Sequence, residues 1–205
     1  MTEITTIAEL EALYGAPNPN SLAKVAHAVT PEYAAWIEAS RFAVLSTVGP
    51  GGTDGSPRGD DGPVVAIADP TTLLMPDWHG NNRTDSLRNI VGDGRVSLLF
   101  MVPGKPNVIR VNGRATLSRD PALMARFSVE DREPRLVIRI AVGEVYSQCA
   151  RALLRSELWS RDDGDLALPS MGDILRAQTS CAVDGAAYDA DWDARAAASM
   201  WSTRR

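Results

Sequence analysis

The chain has 205 residues, a hydrophobic fraction of 44%, a charged fraction of 23% and a formal net charge of -5. That length allows one core, or one core with a small appendage, and the ordinary apolar and charged fractions exclude a disordered or fibrous protein. The acidic balance argues against a nucleic-acid binder, whose phosphate contacts need a basic surface.

Residues 5–14 read as a helix with Ile7, Leu10 and Leu13 on one side, broken by Ala16-Pro17-Asn18-Pro19-Asn20. A second helical stretch spans about 22–39, interrupted near Pro31, with Tyr33, Trp36 and Ile37 as its buried stripe. The pattern then changes to short apolar runs rich in strand formers. RFAVLSTV, 41–48, ends in the turn Gly49-Pro50-Gly51-Gly52. PVVAIA, 63–68, and TTLLMP, 71–76, form a hairpin about Asp69-Pro70. DSLRNIV reads as a helix, capped by Asn81 or Asn82 at its start and by Gly92 at its end.

RVSLLFMV, 95–102, is a strand followed by the turn Pro103-Gly104-Lys105-Pro106. NVIRVNGRATL alternates, with Val108, Arg110, Asn112 and Arg114 on one face and Ile109, Val111 and Ala115 on the other. A short helix near 123–127 precedes the long strand RLVIRIAVGEVY, 135–146. RALLRSELW is helical, a further helix covers about 171–178, and an alanine-rich end carries Trp192 and Trp201. Six strands with hairpin-like connections and one interposed helix do not alternate as βαβ, which excludes a doubly wound parallel sheet. The expected fold class is mainly β (α+β): a six-stranded antiparallel barrel with peripheral helices, in one domain over 1–205 (helices 1–40, barrel 41–149, helices 150–205).

Cys149 and Cys181 make no disulfide framework, so a reduced, cytoplasmic setting is expected. The acidic N-terminus has no signal-peptide core, and no apolar run approaches the roughly 20 residues that span a bilayer. His27 and His79 are the only histidines, and no His or Cys spacing suggests a metal. His27 reads as a helix-surface residue and Cys149 as a small buried hydrophobe. Ser46, Ser56 and Cys149 have no evident base, so no triad is read.

Three segments carry candidate chemistry. In Ser56-Pro57-Arg58-Gly59-Asp60, Arg58 either grips a phosphate bidentately or is a solvated turn arginine. In the turn from Pro76 to Ser86, Asn82 and Ser86 offer short donors at a helix N-terminus, where free N–H groups and the macrodipole favour an anion. Arg83 opposes that dipole, which an anion bound there would explain; ordinary capping beside a surface arginine is the alternative. Trp78 and His79 lie in the same turn, and His79 is either a cofactor or substrate contact or a plain loop residue. Arg110, inside a strand, needs an acidic partner or a cofactor oxygen.

The runs SPRGDDGPVVAI, LLMPDWHGNNRTDSLRNI, RVSLLFMVPG and IRVNGRATL resemble the pyridoxamine 5'-phosphate oxidase-like superfamily, in particular its probable FMN-dependent branch. QCARALLRSELW extends the likeness to about Trp159. The resemblance implies a split β-barrel homodimer with two FMN sites in the subunit interface. By motif match it implies cofactor binding by Ser56, Arg58 and Gly59, then by Pro76, Asp77, Asn82, Arg83 and Ser86. It implies that Arg110 reaches the flavin of the partner subunit, and that Arg151, Ser156 and Trp159 lie near the same interface. The authentic oxidases carry R-x-V-L-L-K and YTN…SRK where this chain has PVVAIA and PDWHGNNR, so vitamin B6 oxidation is not expected. The expectation is an FMN-binding flavoprotein and FMN-dependent oxidoreductase acting on a small molecule. A deazaflavin reductase on the same fold and a non-catalytic flavin-binding or sensing protein are the alternatives.

Overall fold

The computed structural model describes residues 3–129 and 133–199; Trp201 lies outside them. The chain opens with α1 (Ile7–Tyr14), α2 (Pro19–Ala23) and α3 (Pro31–Ala39). A capping box of Thr6 and Glu9 starts α1, whose Ile7, Leu10 and Leu13 all stay exposed. Pro31 starts α3 rather than interrupting a longer helix, because a proline at the first helical position loses no hydrogen bond; Thr30 caps it. Ile37 is fully buried, with Tyr33 and Trp36 packed beside it.

Then follow β1 (Phe42–Gly49), β2 (Gly52–Gly59), β3 (Ala66–Asp69), β4 (Thr72–Asp77), α4 (Asp85–Gly92), β5 (Arg95–Met101), β6 (Val108–Ser118), α5 (Pro121–Ala125) and β7 (Leu136–Gln148). The C-terminal part adds α6 (Arg151–Arg155), α7 (Met171–Gln178), α8 (Gly185–Ala190) and α9 (Trp192–Ser199). RALLRSELW is therefore helical only over its first five residues.

The sheet has seven strands, one more than the sequence suggests, in the order β2-β1-β5-β6-β7-β4-β3, with every pair antiparallel. The additional strand is β2, GTDGSPRG, which reads as a loop because it holds no apolar side chain able to show a period of two. Its residues still alternate, with Asp54, Ser56 and Arg58 half-buried between exposed neighbours. The inward face of this strand is polar.

The core is built from alternate strand positions. Ala43 and Leu45 of β1, Leu98 and Phe100 of β5, Ile109 and Val111 of β6, and Ile138 and Ile140 of β7 are essentially inaccessible. Gly113 sits at a bulge between β6 and β7, where a Cβ would lie 2.1 Å from the Ala141 carbonyl oxygen. Four strands separate β2 from β4 in the sheet, yet the side chains of Arg58 and Asp77 touch. The sheet therefore curls until its first strand faces its sixth, and the candidate site lies along that meeting line. No helix among the described residues is long and apolar enough to cross a membrane.

Candidate functional site

A cleft of about 1060 Å³ opens where β2, the end of β4 and the start of α4 converge. Ser56, Arg58, Gly59, Pro76, Asp77, Asn82, Arg83 and Ser86 all line it, so two segments separated in sequence form one wall system. Arg110 and Arg151 do not line it. Arg110 projects from β6 toward β7, where its Nη1 donates to the Tyr146 hydroxyl at 3.2 Å and the guanidinium sits 5.7 Å from that ring. Its partner is thus an aromatic hydroxyl of its own sheet, neither acid nor cofactor in this chain. Arg151 is exposed at the start of α6. Trp159 donates its indole N–H to the Lys105 carbonyl at 2.9 Å, and Ser156 donates to the Leu153 carbonyl at 3.2 Å.

Within the cleft the polar groups are paired unequally. Arg58 Nη1 donates to Asp77 Oδ1 at 2.5 Å, with side-chain exposures of 19% and 12%. Arg58 Nε is buried and has no hydrogen-bond partner among the described residues. A buried N–H without an acceptor costs about 1–3 kcal/mol, so this atom points to an acceptor supplied from elsewhere. Trp78 donates its indole N–H to Asp60 at 3.1 Å, which ties the loop after β4 to the residue that follows β2. Arg83 turns along its own loop to Asp85 and is 80% exposed.

The N-terminus of α4 is built differently from the sequence expectation. Its cap is Thr84, without a side-chain cap bond, and Gly92 is the last helical residue rather than the residue beyond it. Asn82 lies two residues earlier with φ +60°, a left-handed conformation that asparagine tolerates better than most residues. Ser86, nearly inaccessible, donates its hydroxyl to Asp54 of β2. A carboxylate of the chain thus already stands against the first turn of α4, where the macrodipole favours negative charge.

Sequence reasoning missed one arginine of the cleft wall and the C-terminal cover. Arg135, just before β7, is held by its backbone N–H to the Asp77 carbonyl at 2.9 Å. Its Nη1 donates to Asn82 Oδ1 at 2.8 Å, and its Nε and Nη2 meet the two ring nitrogens of His79 at 3.4 and 3.1 Å. Nothing in the run RLVIRI marked its first residue, because only the β4–β7 register brings it to the cleft. Tyr188, Trp192, Arg195 and Ala196 of α8 and α9 also line the cleft, and Arg195 stacks over the Tyr188 ring at 3.9 Å. The alanine-rich composition of this segment concealed that role.

Two further expectations are corrected outside the cleft. His27 is not helical, and its Nδ1 is 2.9 Å from the Gly143 carbonyl oxygen. Cys149 is exposed rather than buried, and the Arg151 backbone N–H draws its thiol below the ordinary cysteine range.

The donor set suits an anionic, planar ligand. It offers an orphan guanidinium N–H at Arg58, the free N–H groups of α4 and the flat side chain of Trp78. Asp54, bound to Ser86, opposes an anion at that turn, and Asp60, Asp77 and Asp85 add further carboxylates to the cleft walls.

The family model described as pyridoxamine 5'-phosphate oxidase matches residues 29–149. HupZ of Group A Streptococcus is 18% identical, with 59% of this chain and 94% of that chain aligned and a TM-score of 0.49. General Stress Protein 26 of Bacillus anthracis is 18% identical over 56% of this chain and 88% of that one, with a TM-score of 0.43. An FMN-binding protein of Syntrophomonas wolfei is 13% identical over 68% of this chain and 93% of that one, with a TM-score of 0.42. No curated protein matches.

Proposed function

Because the chain belongs to the pyridoxamine 5'-phosphate oxidase family, we propose that its cleft binds FMN and that the protein is an FMN-dependent oxidoreductase acting on a small molecule. The observation that carries this reading is the buried, partnerless Nε of Arg58, on a cleft wall that also holds the N-terminus of α4. Ser56, Arg58, Gly59, Pro76 and Asp77 would lie along the ring system, and Asn82, Arg83 and Ser86 would surround the phosphate. FMN, when bound, supplies the redox chemistry of the site.

The chain's own residues bind and orient. Asp77 fixes the Arg58 guanidinium so that its Nε–H faces a set direction, and a donor held in advance needs no reorganisation when negative charge develops nearby. Trp78 offers a flat apolar wall, anchored through its indole to Asp60. Tyr188 and Trp192 narrow the cleft from the C-terminal side. No side chain of the cleft is assigned as an acid or base.

We further propose a homodimer in which the partner's Arg110 and the partner's Arg151 complete each site. Both residues lie away from their own chain's cleft, and neither has a carboxylate partner among the described residues. The exposed Leu154, Leu158 and Trp159 beside Arg151 supply apolar surface for such a contact.

The test is direct. The purified protein is titrated with FMN and with riboflavin, its absorption is recorded, and the released ligand is weighed by mass spectrometry. Reduction by NADH and by NADPH is then followed at the flavin band. Saturable FMN binding with reduction by either nucleotide supports the proposal; a protein that binds no flavin refutes it.

A further inference from the structure

Four arginines line the cleft, and three of them already face a carboxylate: Arg58 with Asp77, Arg83 with Asp85 and Arg195 with Asp191. Among the described residues, Arg135 is the cleft arginine with no carboxylate partner, its side-chain contacts going to Asn82 and His79. Its hydrogen bonding is also incomplete for a chemical reason. A guanidinium carries five N–H donors, and a neutral imidazole has a single acceptor nitrogen. The two contacts from Arg135 to the His79 ring therefore include at most one satisfied bond.

The position is nonetheless fixed. The Arg135 backbone N–H is bound to the Asp77 carbonyl, and Asp77 in turn holds Arg58. The guanidinium binds Asn82, which sits in the left-handed conformation four residues before Ser86. Arg135 thus reaches the turn that leads into the uncapped first turn of α4. A dianion at a helix N-terminus needs compensating charge beyond the partial charge of the helix, about half an elementary charge. Arg83, the charge the sequence motif offers, is paired with Asp85, whereas Arg135, equally at the surface, has no carboxylate partner among the described residues.

We propose that Arg135 is the cation that neutralises the phosphate of the cofactor in this chain. The proposal rests on the flavin reading given above, and it moves the main charge of the phosphate site from the motif arginine to one that the β4–β7 register delivers. On anion binding the Arg135 fork exchanges its contact with His79 for two charge-assisted bonds to phosphate oxygens, a geometry that guanidinium provides and ammonium does not.

The experiment compares FMN with riboflavin, which lacks the phosphate, by tryptophan and flavin fluorescence titration of the full chain. Inorganic phosphate serves as competitor. Arg135→Gln is expected to weaken FMN at least tenfold and riboflavin less than twofold, and to abolish competition by phosphate. Arg135→Lys is expected to recover part of the FMN loss, and Arg83→Gln to lose less than Arg135→Gln. Equal weakening of FMN and riboflavin by Arg135→Gln would mean that the residue only anchors the loop, and overturns the proposal. Unchanged FMN affinity overturns it as well. If the wild-type protein binds neither flavin, the flavin reading fails, and phosphate alone decides. Phosphate binding that is lost in Arg135→Gln keeps the anion assignment, and absence of phosphate binding removes it.

Discussion

Arg58 Nη1 lies 2.5 Å from Asp77 Oδ1, and this pair joins β2 to β4 across the curled sheet. Both side chains are mostly buried, so the pair is not a surface ion pair of small consequence. Removing one member of a buried pair leaves an uncompensated charge, which costs about 3–5 kcal/mol. Asp77→Ala is expected to destabilise by about 3 kcal/mol in urea unfolding. Replacing both members with Arg58→Met and Asp77→Leu should restore most of that stability while eliminating flavin binding. A double variant as unstable as Asp77→Ala would show that the pair holds the sheet together rather than the site.

Asp54 accepts the Ser86 hydroxyl bond at the first turn of α4. A bound phosphate placed there would meet a carboxylate at close range. Two like unit charges about 4 Å apart cost about 1–4 kcal/mol at surface-like dielectric. Asp54→Asn keeps the hydrogen bond to Ser86 and removes the charge. It should raise FMN affinity about tenfold (1.4 kcal/mol) and leave riboflavin affinity unchanged. Isothermal titration with both ligands checks this. A fall in FMN affinity would place the phosphate away from Ser86.

The parts of this molecule legible in the sequence are those whose signal is local. Apolar runs of strand formers located β1, β5 and β7, alternation located β6, and Asp69-Pro70 located the hairpin of β3 and β4. The turn from Pro76 to Ser86 was legible as a candidate site because asparagines, an arginine and a helix start fall within one stretch, and it lines the cleft. β2 was not legible, since its inward positions are Asp54, Ser56 and Arg58 and its outward ones are small or polar. Arg135 was hidden for another reason. Its significance depends on which strand lies beside β7 and on Asp85 having taken Arg83, and neither is a property of neighbouring residues. The cover by Tyr188, Trp192 and Arg195 likewise depends on how α8 and α9 pack.

Asp93 makes two bonds to Arg95, at 2.7 and 2.8 Å from Nε and Nη2, and accepts the Arg95 backbone N–H at 3.0 Å. The Arg95 side chain, then its backbone N–H, lower the carboxyl from 3.8 to about 2. A group with a depressed folded pKa stabilises the fold above its unfolded pKa and loses that contribution as pH falls through the folded value. The stability difference between wild type and Asp93→Asn should therefore be constant above about pH 5 and shrink between pH 3.8 and about 2. Urea unfolding at a series of pH values tests this, and a difference that persists unchanged at pH 2 contradicts the assignment.

Gly172 of α7 and Gly185 of α8 pack backbone to backbone. A Cβ on Gly172 would lie 2.1 Å from the Gly185 carbonyl oxygen, and one on Gly185 would lie 2.4 Å from the Gly172 oxygen. The Gly172 N–H also donates to Asp189 at 2.9 Å, which ties α7 to the helix that carries Tyr188. Alanine favours a helix over glycine by at most about 1 kcal/mol, whereas forcing apart a packed contact costs about 1–3 kcal/mol. The clash opposes rigid backbone, not the end of a flexible side chain, so the cost should lie at the upper end. Gly172→Ala is therefore expected to undock α7 from α8 while the sheet stays folded. Trypsin should then cleave within 170–195 well before it cleaves the sheet, and the cleft should lose the wall formed by Tyr188 and Trp192. If FMN binding is read in the same samples, it should weaken less than in Arg135→Gln, because it is the Arg135 guanidinium that binds Asn82 in the turn leading into α4. A Gly172→Ala protein as protease-resistant as wild type would show that the two helices tolerate the added methyl by sliding, and that their packing does not set the shape of the cleft.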